Sequence, residues 1–96
     1  MGFVARVFTL AEQDYCLSNG DACQRFAGRF AAKEAVAKAL GTSLSWQDVE
    51  ILSGESGEPL VMLRDRAAEV AAGRRVLVTI SHCRSHAVAY AVALSD

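Results

Sequence analysis

The spacing of apolar residues divides the chain into helical and extended segments. Between positions 22 and 40 apolar residues recur at intervals of three and four, which places Phe26, Phe30, Ala37 and Leu40 roughly on one face of a helix. Further along, RVLVTIS and AVAYAVAL are dominated by apolar and β-branched residues, a composition typical of strands. The pattern predicts a long amphipathic helix and, later in the chain, a pair of strands.

Capping residues set the limits of the predicted helices. Thr9 and Glu12 have the T-x-x-E spacing of a capping box, which predicts a short helix over 10–16. After the turn-rich SNGD sequence, Asp21 can cap the long helix. Gly41 can adopt the left-handed backbone conformation in which helices commonly end, so it is the predicted end of the long helix.

The remaining segments alternate between strand and turn signals. The GESGEP turn at 54–59 separates two strand-like runs, and the polar HCRSH sequence separates two more. The predicted segments are strands at 48–53 and 59–63, a helix at 64–73, and strands at 75–81 and 87–94. This order predicts an α+β fold in which an antiparallel sheet packs against the long helix, and we expect one domain over 1–96.

Charge and cysteine content narrow the functional classes. Ten basic and eleven acidic residues give a net charge of −1, so the global field offers no reason to expect a nucleic-acid or membrane partner. Cys16, Cys23 and Cys83 form no C-x-x-C pair, which disfavours a disulfide framework or a zinc site. With no leader sequence and no long apolar run, we expect a cytoplasmic protein.

A cation-rich stretch on the long helix is the first candidate for chemistry. Arg25, Arg29 and Lys33 are spaced four apart and form one stripe, beside an i, i+4 pair of Glu34 and Lys38. Spacing alone favours a solvated face. The alternative is a polyphosphate site, in which the cations contact phosphates and Glu34 is a ligand for Mg²⁺.

Two loops are weaker candidates. The SHCRSH sequence that begins with Ser81 and His82 is either an ordinary hairpin loop or an anion-recognition loop, since hydroxyl, imidazole and guanidinium groups all donate hydrogen bonds. The GESGEP turn is a simple hairpin turn on its residues alone. Its Gly57 and Pro59 are also candidates for the wall of a pocket.

The candidate stretches together resemble a known family. RFAAKEAVAKALG at 29–41 contains F-x-x-K-E-A-x-x-K from Phe30 to Lys38, which resembles the W/F-x-x-K-E-A-x-x-K signature of the 4′-phosphopantetheinyl transferase superfamily. The resemblance is greatest to its short bacterial branch, the holo-acyl-carrier-protein synthases. Three further stretches match in the same order: RVFTLAEQDYC at 6–16, SWQDVEILSGESGEP at 45–59 and VLVTISHCRSHAVAYAVAL at 76–94.

The resemblance implies an activity and an assembly. Family members transfer 4′-phosphopantetheine from coenzyme A to a serine of an apo acyl carrier protein, with Mg²⁺, and release 3′,5′-ADP. The reaction serves fatty acid biosynthesis and related lipid pathways. The short branch forms homotrimers whose active sites lie between subunits. The resemblance therefore implies the fold of that family, a carrier-protein partner and a trimer.

The same resemblance implies roles for individual residues. Glu34 matches the metal-binding carboxylate, and Lys38 matches the lysine that contacts the phosphates. Both would be catalytic. The coenzyme A contacts implied by the matching motifs are Arg29, Lys33, Lys38, Gly57, Pro59, Ser81 and His82.

One family feature has no match in the chain. Members of the branch begin with a strand carrying G-x-D, whose aspartate is a second metal ligand, whereas this sequence opens with Met1 and Gly2. We therefore carry two further hypotheses besides an active transferase. One is a non-catalytic relic that folds, oligomerises and binds coenzyme A without turnover. The other is an unrelated anion-binding module.

Overall fold

The computed structural model describes residues 2–18, 20–82 and 86–95. Within these ranges three α-helices precede a strand hairpin, a fourth helix and a second hairpin, so the predicted α+β class is confirmed. The helices are α1 Phe3–Val7, α2 Leu10–Leu17, α3 Ala22–Leu40 and α4 Asp65–Ala71. The strands are β1 Val49–Ser53, β2 Pro59–Leu63, β3 Arg75–His82 and β4 Ala87–Leu94, and a 3₁₀ turn, Trp46–Asp48, precedes β1.

The predicted helix caps are present. The Thr9 hydroxyl accepts from the Glu12 N–H at 3.2 Å, and the Thr9 N–H donates to the Glu12 carboxylate at 2.8 Å, which completes a capping box for α2. Asp21 accepts from the Gln24 N–H at 3.1 Å at the start of α3. Gly41 has φ of 80° at the helix end, a conformation that favours glycine. These local signals therefore fixed both ends of α3.

The strands form two antiparallel ribbons, β1–β2 and β3–β4, with β2 lying next to β3. Their registers run from Val49 opposite Leu63 to Ser53 opposite Pro59, and from Arg75 opposite Leu94 to His82 opposite Ala87. The chain reverses between β1 and β2 through a tight turn in which Gly57 has φ of 84°. The antiparallel arrangement expected from the sequence is confirmed.

The core lies between α3 and one face of the two ribbons. Ala32, Val36 and Ile51 are buried at its centre. Side chains of β3 alternate, so that Val78 packs on the core while Leu77 points away from it. Packing against α3 therefore orders one face of the sheet and leaves the other exposed.

The apolar face predicted for α3 is only partly buried. Of its four residues, Phe26, Phe30, Ala37 and Leu40, only Leu40 is buried, while Phe26 and Phe30 are half-buried and pack on the aromatic rings of Phe8 and Trp46. The buried residues of α3 are Gly28, Arg29, Ala32, Lys33, Val36 and Leu40. Two cations thus occupy positions that a polarity pattern assigns to solvent.

The first helix was not predicted. Helix α1 has only five residues, too few to display a helical period. Its Phe3 ring lies 5.4 Å from that of Phe30 and 6.4 Å from that of Phe8, centroid to centroid. Aromatic contact with residues distant in the chain, rather than local propensity, holds this turn in place.

Truncating the core at Ile51 tests this packing. Ile51 is 1% exposed, so Ile51→Ala should lower the free energy of unfolding by about 2–5 kcal/mol through lost burial and a residual cavity. The matched control is Leu17→Ala, because Leu17 is 66% exposed, and its effect should stay within about 0.5 kcal/mol. Urea unfolding measures both, and equal effects would contradict the assigned core.

Candidate functional site

Glu34 and Lys38 lie together on the last turns of α3. Both side chains are exposed and line a cavity of about 620 Å³. The other lining residues are Ala37, Gly41, Thr42, Ser43, Leu44 and Trp46. The structure therefore joins the predicted metal carboxylate and the predicted phosphate-binding ammonium in one concave site.

The electrostatics of this cavity depend on Lys38. The carbonyl end of a helix carries a partial negative charge, which disfavours an anion. Lys38 lies in the last turn of α3, where its ammonium offsets that field. The loop that follows adds the Thr42 and Ser43 residues, whose hydroxyls can donate hydrogen bonds. The cavity can therefore take phosphate oxygens beside Lys38.

Arg29 lies in a second cavity, of about 150 Å³. Its guanidinium carbon is 4.2 Å from the centre of the Tyr15 ring, and its Nη2 donates to the Ser53 hydroxyl at 2.6 Å. Only 5% of Arg29 is exposed, and its Nε is buried with no hydrogen-bond partner within the described residues. A buried guanidinium donor without a partner favours an external acceptor such as a phosphate oxygen.

The hairpin turn completes the second cavity. Gly57 and Pro59 line it together with Ile80, as do Tyr15 and Arg25. The Arg25 guanidinium lies 4.8 Å from the centre of the same Tyr15 ring. Arg29, Gly57 and Pro59, which are distant in sequence, are therefore neighbours in space.

The two cavities occupy different sides of α3 and share no lining residue. Arg29 and Lys38 are nine positions apart, which is two and a half turns of helix. Their side chains therefore leave the helix in roughly opposite directions. Within one chain, the predicted site residues form two groups rather than one.

Lys33 does not belong to either group, and its assignment as a coenzyme A contact is wrong. It is fully buried, and its ammonium lies 2.8 Å from the Glu12 carboxylate. The remaining two donors reach the carbonyls of Trp46 at 2.8 Å and Val49 at 2.6 Å. An ammonium has three donors, so none is left for a ligand.

Burial and pairing act on Lys33 in opposite directions. Desolvation has the largest effect and lowers the pKa of the Lys33 ammonium, whereas the hydrogen bond and charge of Glu12 raise it. Glu12 is itself fully buried and also accepts from the Ile51 N–H at 2.7 Å. The interpretation of Lys33 as part of a solvated face is therefore wrong as well.

Ser81 and His82 end strand β3. Ser81 is exposed, pairs with Val88 across the ribbon, and follows Ile80, which lines the second cavity. The backbone of His82 pairs with that of Ala87. Cys83, Arg84 and Ser85, which complete the predicted anion-recognition loop, lie outside the described residues.

Sequence reasoning missed Tyr15 and Trp46 as site residues. Tyr15 is the ring on which both arginines stack, and Trp46 forms one wall of the larger cavity. Tyr15 and Arg29 are fourteen positions apart, and no local pattern signals that contact. The 3₁₀ turn that presents Trp46 was not predicted from the sequence.

The described residues supply one carboxylate to the larger cavity. No cluster of three or more His, Cys, Asp or Glu side chains suited to a metal ion occurs within ranges 2–18, 20–82 and 86–95. Mg²⁺ commonly binds through one or two carboxylates plus phosphate oxygens and water. The Glu34 carboxylate is chemically suited to be one such ligand, and a bound phosphate and solvent would have to supply the rest of the coordination shell.

Comparison with known proteins identifies the family and agrees with this fold. The sequence profile of the 4′-phosphopantetheinyl transferase superfamily matches residues 1–91. The holo-[acyl-carrier-protein] synthase of Protochlamydia amoebophila is 48% identical over 94 residues, which are 94% of this chain and 77% of the relative. That of Desulforudis audaxviator is 50% identical over 97 residues, 95% of this chain and 74% of the relative.

Solved structures give the same result. The holo-[acyl-carrier-protein] synthase of Helicobacter pylori, in complex with coenzyme A, superposes with a TM-score of 0.82 at 26% identity, covering 94% of this chain and 79% of that one. The enzyme from Neisseria meningitidis gives 0.83 at 29% identity, covering 96% and 79%. The chain belongs to the 4′-phosphopantetheinyl transferase superfamily, in the branch of the holo-acyl-carrier-protein synthases. The resemblance stated from the sequence is therefore confirmed.

The buried position of Lys33 can be tested by stability alone. Lys33→Met removes one partner of a buried ion pair and leaves the Glu12 charge uncompensated, so it should lower the free energy of unfolding by about 3–5 kcal/mol. Lys38→Met is the matched control, since it makes the same change at an exposed position of the same helix. Its effect should stay within about 0.5 kcal/mol. Similar urea midpoints for the two variants would place Lys33 at the surface instead.

Proposed function

We propose that the chain transfers 4′-phosphopantetheine from coenzyme A to a serine of an apo acyl carrier protein, releasing 3′,5′-ADP, in the presence of Mg²⁺. Membership of the superfamily supports this proposal. So does the similarity to structures of holo-[acyl-carrier-protein] synthases in complex with coenzyme A, from Helicobacter pylori and from Bacillus anthracis. The observation that carries it is the cavity that joins Glu34 and Lys38 one helical turn apart.

The larger cavity would receive the pyrophosphate. Lys38 would contact the phosphate oxygens and offset the charge that develops as 3′,5′-ADP leaves. Glu34 would be the protein ligand of Mg²⁺, and that ion, when bound, would neutralise negative charge on the pyrophosphate. The serine nucleophile belongs to the carrier protein, so this chain contributes positioning and electrostatics rather than a nucleophile of its own.

The smaller cavity would bind the adenosine end of coenzyme A. The unpartnered, buried Nε of Arg29 supports a phosphate contact there, since guanidinium groups bind phosphate in a bidentate manner. Gly57 and Pro59 would form the wall against the nucleoside. Ser81 and His82, at the adjacent end of β3, would contribute to the same subsite.

We further propose that the chain acts as a homotrimer with active sites shared between subunits. The sheet face turned away from α3 exposes the apolar residues Leu60, Met62, Leu77, Val88, Tyr90 and Val92. An apolar patch of this kind is typical of an interface. The two cavities of one chain lie on different sides of α3. In a site shared between subunits, one ligand would contact the larger cavity of one subunit and the smaller cavity of another.

Two other proposals concern the setting of the reaction. The carrier protein serves fatty acid or related lipid biosynthesis, and the enzyme works in the cytoplasm. Within the described residues, no helix has the length and apolar character needed to cross a membrane. The relic hypothesis, coenzyme A binding without turnover, is favoured by one observation, the single carboxylate in the larger cavity.

A transfer assay tests the activity and the relic hypothesis together. Purified chain, apo acyl carrier protein, coenzyme A and Mg²⁺ should yield carrier protein that has gained the mass of phosphopantetheine, and a chelator should prevent the gain. Glu34→Gln should lower the rate by about 10²–10³-fold, the usual effect of removing one electrostatic contact to a developing charge. Glu69→Gln, an exposed glutamate on α4, is the control and should retain the rate. Coenzyme A binding with no mass gain, in a folded trimer, would support the relic instead.

The proposed trimer can be tested at Tyr90, which is 69% exposed at the centre of the apolar sheet face. Tyr90→Asp would bury a charge in the interface without a partner, so the trimer should dissociate. Size-exclusion chromatography with light scattering measures the mass. Leu17→Asp places the same charge on a side chain that is 66% exposed on α2, and should leave the mass unchanged. A wild-type monomer would contradict this proposal.

A further inference from the structure

Lys33 connects the two walls of the larger cavity. The helix wall carries Glu34, the next residue after Lys33, and Lys38 one turn further on. The opposite wall includes Trp46, whose backbone carbonyl accepts from the Lys33 ammonium at 2.8 Å. A second bond from the same ammonium, 2.6 Å to the carbonyl of Val49, holds the first residue of β1. One side chain therefore fixes the helix relative to the segment that faces it.

The anchoring is specific to an ammonium. Its three donors diverge from one atom and meet acceptors on three segments: the Glu12 carboxylate on α2, the Trp46 carbonyl in the 3₁₀ turn and the Val49 carbonyl at the start of β1. The planar fork of arginine has a different geometry and a larger volume. An apolar side chain would remove the ammonium donor from both carbonyls and so break their connection to α3.

Glu12 and Lys33 make different contributions, although they form one pair. Glu12 bonds the Thr9 and Ile51 N–H groups and so joins α2 to β1. It makes no contact with Trp46 among its described hydrogen bonds. The carbonyl of Trp46 accepts from the Val49 N–H within its own turn and from the Lys33 ammonium, which is the bond that ties it to α3. Removing the two charges separately should therefore have separable effects on the fold and on the cavity.

We propose that Lys33 is a positioning residue, which holds Trp46 and thereby the width of the cavity in which Glu34 and Lys38 act. It touches no substrate. Its effect on turnover rests on the proposed function, whereas its effect on Trp46 does not. The two lysines of the signature therefore have different roles. Lys33 positions the wall of the cavity, and Lys38 contacts the ligand.

Two readouts separate positioning from simple stabilisation. Trp46 is the one tryptophan in the sequence, so acrylamide quenching of intrinsic fluorescence reports on its wall directly. Lys33→Met should raise the quenching of Trp46 and lower kcat by about 10- to 100-fold, with a smaller change in KM for coenzyme A, because misplacement acts on the reacting geometry. Glu12→Gln should lower the unfolding midpoint yet leave both Trp46 quenching and kcat near their wild-type values.

A double variant guards against failure to fold. Glu12→Gln with Lys33→Met leaves neither charge of the buried pair and should regain stability relative to Lys33→Met alone, while the Trp46 carbonyl still lacks its bond from α3. It should therefore show the raised quenching and lowered kcat of the single Lys33 variant. Arg66→Met, at an exposed position on α4, is the control and should change neither.

The outcomes distinguish the two proposals. Wild-type quenching and kcat in a folded Lys33 variant, single or double, would overturn the positioning role. So would a parallel fall of kcat with stability in the Glu12→Gln and Lys33→Met variants. If the wild-type chain shows no transfer, the proposed function fails, and the Trp46 quenching comparison still decides whether Lys33 holds that wall.

Discussion

The ammonium of Lys33 joins α3 to α2 and to the segment around 46–49, both of which are distant from it in sequence. Its acceptors lie on α2, on the 3₁₀ turn before β1 and at the first residue of β1. Glu12 extends the same network to the backbone of Ile51 at the centre of the core. The desolvation of two charges is large and is offset only by good geometry and further hydrogen bonds; here each proton of the Lys33 ammonium has an acceptor and both oxygens of Glu12 accept. Together with the packing of the core, this buried pair sets the orientation of α3 against the sheet.

That orientation gives neighbouring cations on α3 different environments. Lys38, at the solvent side, lines an open cavity, whereas Lys33 is enclosed by protein acceptors. Arg29 is intermediate, since it is buried against Tyr15 and bonded to Ser53 yet keeps one donor without a partner. Residue type alone does not explain these differences. They depend on the direction in which each side chain leaves the helix and on the protein groups that it meets there.

Local signals explain what could be predicted from the sequence. The caps at Thr9, Asp21 and Gly41 and the alternation in the two hairpins depend on residues close together in the chain, and the structure contains them. The family followed from ordered motifs, and the superfamily match over residues 1–91 confirms it.

The features that could not be predicted depend on long-range contacts. Burial of Lys33 requires Glu12, twenty-one positions earlier, and the carbonyls of the 46–49 segment. Helix α1 depends on aromatic rings up to Phe30. A polarity pattern treats every lysine as solvated, so it gave no indication that Lys33 lies on the buried face of α3.

The capping box of α2 has a consequence for the order in which the chain folds. The Glu12 carboxylate of this box also accepts from the Ile51 N–H, 39 positions downstream. The Thr9 hydroxyl donates to the Glu50 carboxylate, 41 positions downstream. Closing a loop of that length costs entropy before any contact compensates for it. During synthesis, the N-terminal helices can form turns early, yet they cannot dock until the ribosome has released the strand that receives them.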